Sequence, residues 1–131
     1  MVTFASNDSK ILTADEGEPR DGYGDGIIDP KGTVTIINLA DQTVSQVDFT
    51  SYDNSDSREQ LVESGVILKK NTNPSVDFEP EYIAVGDKTA YVTLQEANAI
   101  AVIDLNQQSL TGVYSAGYED YSTCAVDIDK K

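Results

Sequence analysis

Histidine is absent from this chain of 131 residues, and cysteine occurs once, at Cys124. The lack of histidine removes the commonest general base and the usual zinc ligand. A single cysteine excludes an internal disulfide, and because Cys124 lies in the strand-like run "STCAVDI" we interpret it as a packing residue rather than a nucleophile. Any catalysis would therefore depend on carboxylates, hydroxyl groups or a hard metal ion.

Positive charge and long apolar runs are also scarce. Nine Lys and Arg residues stand against 23 Asp and Glu residues, which gives a net charge of -14. Such an acidic chain repels nucleic acid and anionic lipid, so the expected partners are cations, basic surfaces or polar neutral ligands. No run approaches the roughly 20 apolar residues of a membrane span, and "MVTFASNDSK" lacks the features of a signal peptide. We therefore expect no insertion into a membrane.

The sequence contains a repeat made of short strands. The segments "VTFASNDSK", "YIAVGDK" and "CAVDIDK", which start at Val2, Tyr82 and Cys124, each combine an apolar strand with a polar turn. "ILTADEGE" aligns with "YVTLQEAN" 80 residues later, and "TVTIINLADQTVSQVDF" aligns with "AIAVIDLNQQSLTGVYS" 66 residues later. Each repeat thus predicts four strands, and about 42 residues separate the last two starting strands, a spacing typical of propeller blades.

We predict an all-β fold with two four-stranded antiparallel propeller-type blades and the first strand of a third. The first blade is expected at 1–49, with an acidic insertion at 19–32, and the second blade at 82–115. An inter-blade insertion at 50–81 separates them, and the first strand of a third blade is expected at 124–128. A helix at 57–64 is expected within the inter-blade insertion, because Asp56 can cap it and Gly65 can end it. The alternative is a small β-sandwich of the same eight strands. Because propellers contain four to eight blades, the chain is expected to be a fragment or to complete its core by self-association.

The two insertions are predicted to leave the sheets at one shared edge. Strands of an antiparallel sheet alternate in direction, so the links after a second and a fourth strand emerge on the same side. Most of the acidic residues fall in these links, whereas the opposite edge carries chiefly Asp8, Asp41 and Asp87. The sequence therefore predicts one strongly acidic face.

One segment of this face partly matches a calcium-binding loop. Counted from Asp21, aspartates occupy positions 1, 5 and 9, and Gly26 occupies position 6. Two expected ligands are missing, so other carboxylates would have to supply oxygens if the loop folds back. The candidate Ca²⁺ ligands are Asp21, Asp25, Asp29, Glu16 and Glu18. A plain solvated turn is the alternative, since such Gly and Asp clusters commonly form one.

A second group of oxygens is expected in "DFEPEY". Strand alternation would point Asp77, Glu79 and Glu81 to one side at the start of an inner strand. The alternative for these three residues is a solvated rim.

Two long segments resemble a known family. "ILTADEGEPRDGYGDGIIDPKGTVTIINL" and "DFEPEYIAVGDKTAYVTLQEANAIAVIDL" are similar to the choice-of-anchor domain proteins, whose relatives include mesenchyme-specific cell-surface glycoproteins and alkaline phosphatase-like exported proteins. The resemblance implies a secreted or surface-attached propeller of the YVTN/lactonase-like kind, longer than this chain. It also implies mineral surfaces as a further partner of the acidic face.

Three functions are consistent with these patterns. The first is a non-catalytic extracellular binding or scaffold module with an acidic, calcium-binding face. The second is a fragment of a calcium-dependent phosphoester hydrolase, like alkaline phosphatase or a propeller phytase, in which carboxylates hold the metal. The third is a unit that only spaces other domains. We predict no catalytic residue set.

Overall fold

Eight strands form two antiparallel sheets in the computed structural model, which describes residues 1–5, 8–19, 22 and 26–123. Sheet 1 contains β1 (Val2–Phe4), β2 (Lys10–Asp15), β3 (Thr33–Asn38) and β4 (Val44–Val47) in that order. Sheet 2 contains β5 (Pro80–Val85), β6 (Thr89–Leu94), β7 (Ala99–Asp104) and β8 (Ser109–Ser115) in that order. The predicted all-β fold with two four-stranded antiparallel sheets is confirmed. The strand predicted at 124–128, as the first of a third blade, lies outside the described residues.

Each sheet has one buried face, because apolar side chains alternate along its strands. In sheet 1 the fully buried residues include Leu12, paired across the ladder with Ile36. In sheet 2 they include Val92, paired with Ala101. These faces belong to a single core, so the two sheets stack. A two-sheet stack of this kind is compatible with a sandwich.

The two sheets are built from equivalent strands, but at a spacing that differs from the sequence alignment. β3 and β7 are 66 residues apart, and both are followed by a turn with a glutamine at positive φ, Gln42 or Gln108. Their ladder partners β2 and β6 are then 79 residues apart, whereas the sequence alignment predicted 80. The alignment placed Thr13 over Thr93 because the side chains match, but the ladder register decides the equivalence. A shift of one residue exchanges the two faces of a strand.

The segment between the sheets contains a 3-10 helix (Thr50–Tyr52) and two α-helices rather than one helix. α1 spans Ser55–Glu63, and its N-cap is Asn54, whose side chain accepts a hydrogen bond from the Ser57 amide at 2.9 Å. The predicted helix at 57–64 therefore starts two residues earlier, and the expected cap residue lies inside its first turn. α2 (Pro74–Asp77) was not predicted. Among the described residues, no helix is both long enough and apolar enough to cross a membrane.

The end of the first insertion approaches the end of the second. Gly32, at the end of the first insertion, lies against Phe78, at the end of the second. Phe78 is fully buried and packs edge-on against Phe49, with ring centroids 5.2 Å apart. The shared edge is therefore anchored to the core by an aromatic pair.

We expect Gly32→Ala to destabilise the fold, because a Cβ at this position would overlap the carbonyl oxygen of Phe78 and lie 2.6 Å from Cδ of Pro80. Overpacking of this kind against backbone costs about 1–3 kcal/mol or more. Urea unfolding measures the loss. Gly86→Ala is the matched control, since its Cβ would meet nothing closer than 3.6 Å, and its free energy of unfolding should change by less than about 0.5 kcal/mol. Equal stabilities for the two variants would contradict the close approach.

Candidate functional site

Four carboxylates from three separate chain segments lie near one lysine at the shared edge. Asp29 comes from the β2–β3 link, Asp77 ends α2, Glu79 precedes β5, and Glu96 lies in the β6–β7 turn. We call these four residues the carboxylate cluster. Lys69, between α1 and α2, interacts electrostatically with all of them. Four negative groups around one positive group leave a surplus of negative charge.

Lys69 holds two of the carboxylates by ion pairs. Its Nζ lies 3.4 Å from Oδ1 of Asp77 and 3.3 Å from Oε1 of Glu79. Its backbone amide also donates to Oδ2 of Asp77 at 2.6 Å. The Lys69 side chain is 45% exposed, whereas those of Asp77 and Glu79 are only 3% and 5% exposed. The ammonium group is therefore the accessible member of the group and the carboxylates are the enclosed ones.

Two carboxylate oxygens in the cluster are buried without a hydrogen bond. They are Oδ1 of Asp29 and Oδ1 of Asp77, the second of which has only its ion pair with Lys69. Native proteins pair nearly all such atoms, so each exception requires an explanation. Burial raises the pKa of the Asp29 carboxyl, and the charges of Glu79 and Asp77 raise it further against the opposing effect of Lys69. The site thus contains oxygens oriented as acceptors with nothing donating to them.

Glu96 shares a hydrogen bond with Glu79. This bond raises the pKa of Glu96, and the negative charge of Glu79 raises it further. A hydrogen bond between two carboxyl groups requires that one of them carries a proton. Lys69, Asp77 and Glu96 also line a recess of about 40 Å³ together with Ile67 and Ala97.

The predicted calcium ligands have different positions. Asp29 belongs to the carboxylate cluster, whereas Glu18 is exposed just before the first insertion. Glu16 lines an open cleft of about 350 Å³ with Glu81 and the start of β5. The remaining two predicted ligands, Asp21 and Asp25, lie outside the described residues.

Several acidic residues at the edge have structural partners. Asp15 accepts hydrogen bonds from the hydroxyls of Thr13, Thr33 and Thr35 at 2.7, 3.1 and 2.6 Å. Asp53 accepts from the amide and hydroxyl of Ser75, which fastens the start of α2. In the described part of the chain, no set of three or more His, Cys, Asp or Glu side chains is arranged to hold a metal ion.

The sequence patterns indicated Asp77 and Glu79 of the carboxylate cluster but not Lys69, which lies at its centre. Asp77 and Glu79 were grouped with Glu81 by strand alternation, but α2 extends to Asp77, so alternation does not apply there. Glu81 instead lines the cleft with Glu16. Lys69 was not singled out. The usable signal was the pair Asn73 and Pro74, since proline is favoured at the first position of a helix.

We expect Glu96→Gln to stabilise the protein at neutral pH. The pKa of Glu96 is raised in the folded state, so the protonated side chain stabilises the fold. This stabilisation is complete below the ordinary glutamate pKa and is lost as the pH rises through the folded-state pKa. Glutamine keeps a donor for Glu79 and cannot release it. Melting temperatures from acidic to neutral pH should therefore fall less steeply in this variant.

Glu59→Gln is the matched control, because Glu59 is exposed on α1. It removes the same charge from the chain and should leave the pH dependence as in the wild type. If the two variants have parallel pH profiles, the hydrogen bond between Glu79 and Glu96 is absent in solution.

The family model of the choice-of-anchor I domain matches residues 1–131. No curated protein and no solved structure matches the chain.

Proposed function

Because the chain belongs to the choice-of-anchor I family, which indicates a cell-surface or extracellular protein, we propose that it is a non-catalytic surface module whose acidic edge binds calcium. The observation that carries the proposal is the convergence of four carboxylates on one accessible ammonium group. A net charge of -14 adds a long-range attraction for cations and for mineral or basic protein surfaces.

The chemistry of the cluster supports calcium over other metals. The negatively charged ligand atoms of the cluster are all carboxylate oxygens, and calcium binds six to eight oxygens in flexible geometries. Zinc and copper favour imidazole or thiolate ligands, and the sequence has no histidine and one cysteine. Because no three of the described acidic side chains are arranged as a ready ligand set, calcium would be held by the pooled charge of Asp29, Asp77, Glu79 and Glu96, with water supplying most of its shell.

Lys69 acts in this proposal as a built-in competitor for the cation. Its ammonium group lies between two enclosed carboxylates, but its side chain is nearly half exposed and can swing outward. The adjacent recess of about 40 Å³ exceeds the roughly 10–15 Å³ that one water requires, so a small ion has room. Calcium binding would displace the ammonium group and use the buried Oδ1 atoms of Asp29 and Asp77.

The framework we propose for this edge is a pair of successive blades of a YVTN/lactonase-like propeller. Support comes from the equivalence of β2 and β3 with β6 and β7, and from the meeting of both insertions at one edge. In such a framework the cluster would lie where the links of neighbouring blades converge.

We expect Lys69→Gln to increase the response to calcium. Loss of the ammonium group removes its ion pairs with Asp77 and Glu79, so the melting temperature without metal should fall below that of the wild type. Calcium should then raise the melting temperature more in Lys69→Gln than in the wild type, because binding to the folded state stabilises it by mass action. Calorimetric titration with calcium chloride measures the affinity directly.

Lys70→Gln is the matched control, since Lys70 is the exposed neighbour and the same charge is lost. Adding Asp77→Asn to Lys69→Gln should remove the gain, because a carboxylate that faces the recess is lost. The proposal fails if calcium produces neither heat nor a change in melting temperature in the wild type and in Lys69→Gln.

A further inference from the structure

The recess that Lys69 lines combines apolar and acidic groups. Ile67 and Ala97 contribute apolar atoms, and Asp77 and Glu96 contribute carboxylates. The backbone amide of Ile67 donates to the carbonyl oxygen of Ala97 at 2.9 Å, which ties the segment after α1 to the β6–β7 turn. The recess is therefore formed by two links that the fold fixes against each other.

One buried oxygen of this recess lacks a hydrogen-bond donor. The Asp77 side chain is 3% exposed, and its Oδ2 accepts from the Lys69 amide at 2.6 Å. Its Oδ1 makes no hydrogen bond, and its ion pair with Nζ of Lys69 is 3.4 Å long. A charge-assisted N–H···O bond is about 2.7–2.9 Å long, so Oδ1 can still accept a donor that approaches through the recess.

The charge around the recess favours a donor that is positive. The carboxylate cluster has four acidic groups, and Lys69 brings one positive charge to it. Two of the acidic groups, Asp77 and Glu96, line the recess itself. A second positive group would therefore still meet an excess of negative charge beside Lys69.

A primary ammonium group suits this recess better than a guanidinium group. It carries three donors and no acceptor on a compact head, whereas a guanidinium group is a planar fork. The recess of about 40 Å³ exceeds the roughly 10–15 Å³ that one water requires, and an ammonium head is about as large as a water. An attached aliphatic chain can lie against Ile67, which is 53% exposed, as lysine stems lie on apolar surfaces.

We propose that the recess binds a primary ammonium group carried on an aliphatic chain, whose source is a lysine side chain of a partner protein or a free alkyl diamine. The ammonium group donates to Oδ1 of Asp77 and to the carboxylate of Glu96, and the chain contacts Ile67 and Ala97. This inference rests on the proposed binding of cations at this edge and adds an organic ligand to calcium.

Titration of the isotopically labelled protein with butylammonium chloride, followed by NMR chemical shifts, tests the binding. Saturable shifts are expected at the amides of Ile67 and Ala97. Methylammonium should bind about tenfold more weakly, because it lacks three methylene groups that are partly buried in the complex. Butyltrimethylammonium has the same chain and charge but no N–H donor, so it should give no saturable shifts at these amides.

Two variants separate the apolar contribution from the acidic one. Ile67→Ser removes the contact with the chain, so butylammonium should bind it no more tightly than methylammonium does. Glu96→Gln removes a charged acceptor, so both amines should bind about tenfold more weakly. The matched controls are Val62→Ser and Glu59→Gln, since both residues are exposed on α1 and neither lines the recess. Both controls should bind the amines as the wild type does.

Nα-acetyl-lysine amide and 1,4-diaminobutane distinguish the two sources of the ammonium group. Binding of the lysine derivative indicates a partner protein, because its backbone is then accommodated outside the recess. Binding of the diamine alone indicates a free amine. Both outcomes support the site.

The inference is overturned if butylammonium gives no saturable shifts. It is also overturned if butyltrimethylammonium shifts the same amides equally, because the effect is then a general attraction to an acidic chain. Titration of the same protein with calcium chloride tests the proposed function separately. Binding of calcium without butylammonium contradicts only this inference, and binding of butylammonium without calcium contradicts only the calcium site.

Discussion

The packing of the apolar face of sheet 1 against that of sheet 2 determines the positions of nearly all the other features. Neither sheet could bury its residues alone, since a single four-stranded sheet has nothing to cover its apolar side. Once the sheets are stacked, their links meet at one edge. Gly32 then has to pass directly beside Phe78, and the carboxylates of both units are brought together.

The carboxylate cluster has an electrostatic cost that the fold only partly offsets. The enclosed carboxylates of Asp77 and Glu79 are poorly solvated, and a single half-exposed lysine cannot neutralise these two together with Asp29 and the exposed Glu96. The hydrogen bond and the negative charge of Glu79 raise the pKa of Glu96, and Oδ1 of Asp29 and of Asp77 make no hydrogen bond. Natural folds keep such arrangements where they serve binding, which is why this edge, rather than the sheets, is the place to look for function.

The strands could be predicted because short alternating runs and repeated segments report local structure directly. The residue-by-residue equivalence of the two sheets could not be predicted. Matching Thr13 to Thr93 by residue type ignores how neighbouring strands pair. That difference of one residue decides which side of each sheet is covered. Only the ladder register contains this information.

The carboxylate cluster around Lys69 has a different membership from the calcium ligands predicted from the sequence. The acidic residues of the links pointed to a pooled negative face, and Asp29 belongs to it. Lys69 was missed because an isolated basic residue has no motif, and α2 was missed because four residues give almost no periodic signal. Contacts between distant segments fix both features, and such contacts are not visible in one sequence.

The hydrogen bonding of Asp15 has a consequence for the charge of sheet 1. A carboxylate on a sheet surface normally depends on bound water or on a nearby cation. Here three hydroxyls of its own sheet, from Thr13, Thr33 and Thr35, replace much of that water. The outer face of sheet 1 therefore carries a negative group that needs no basic residue beside it.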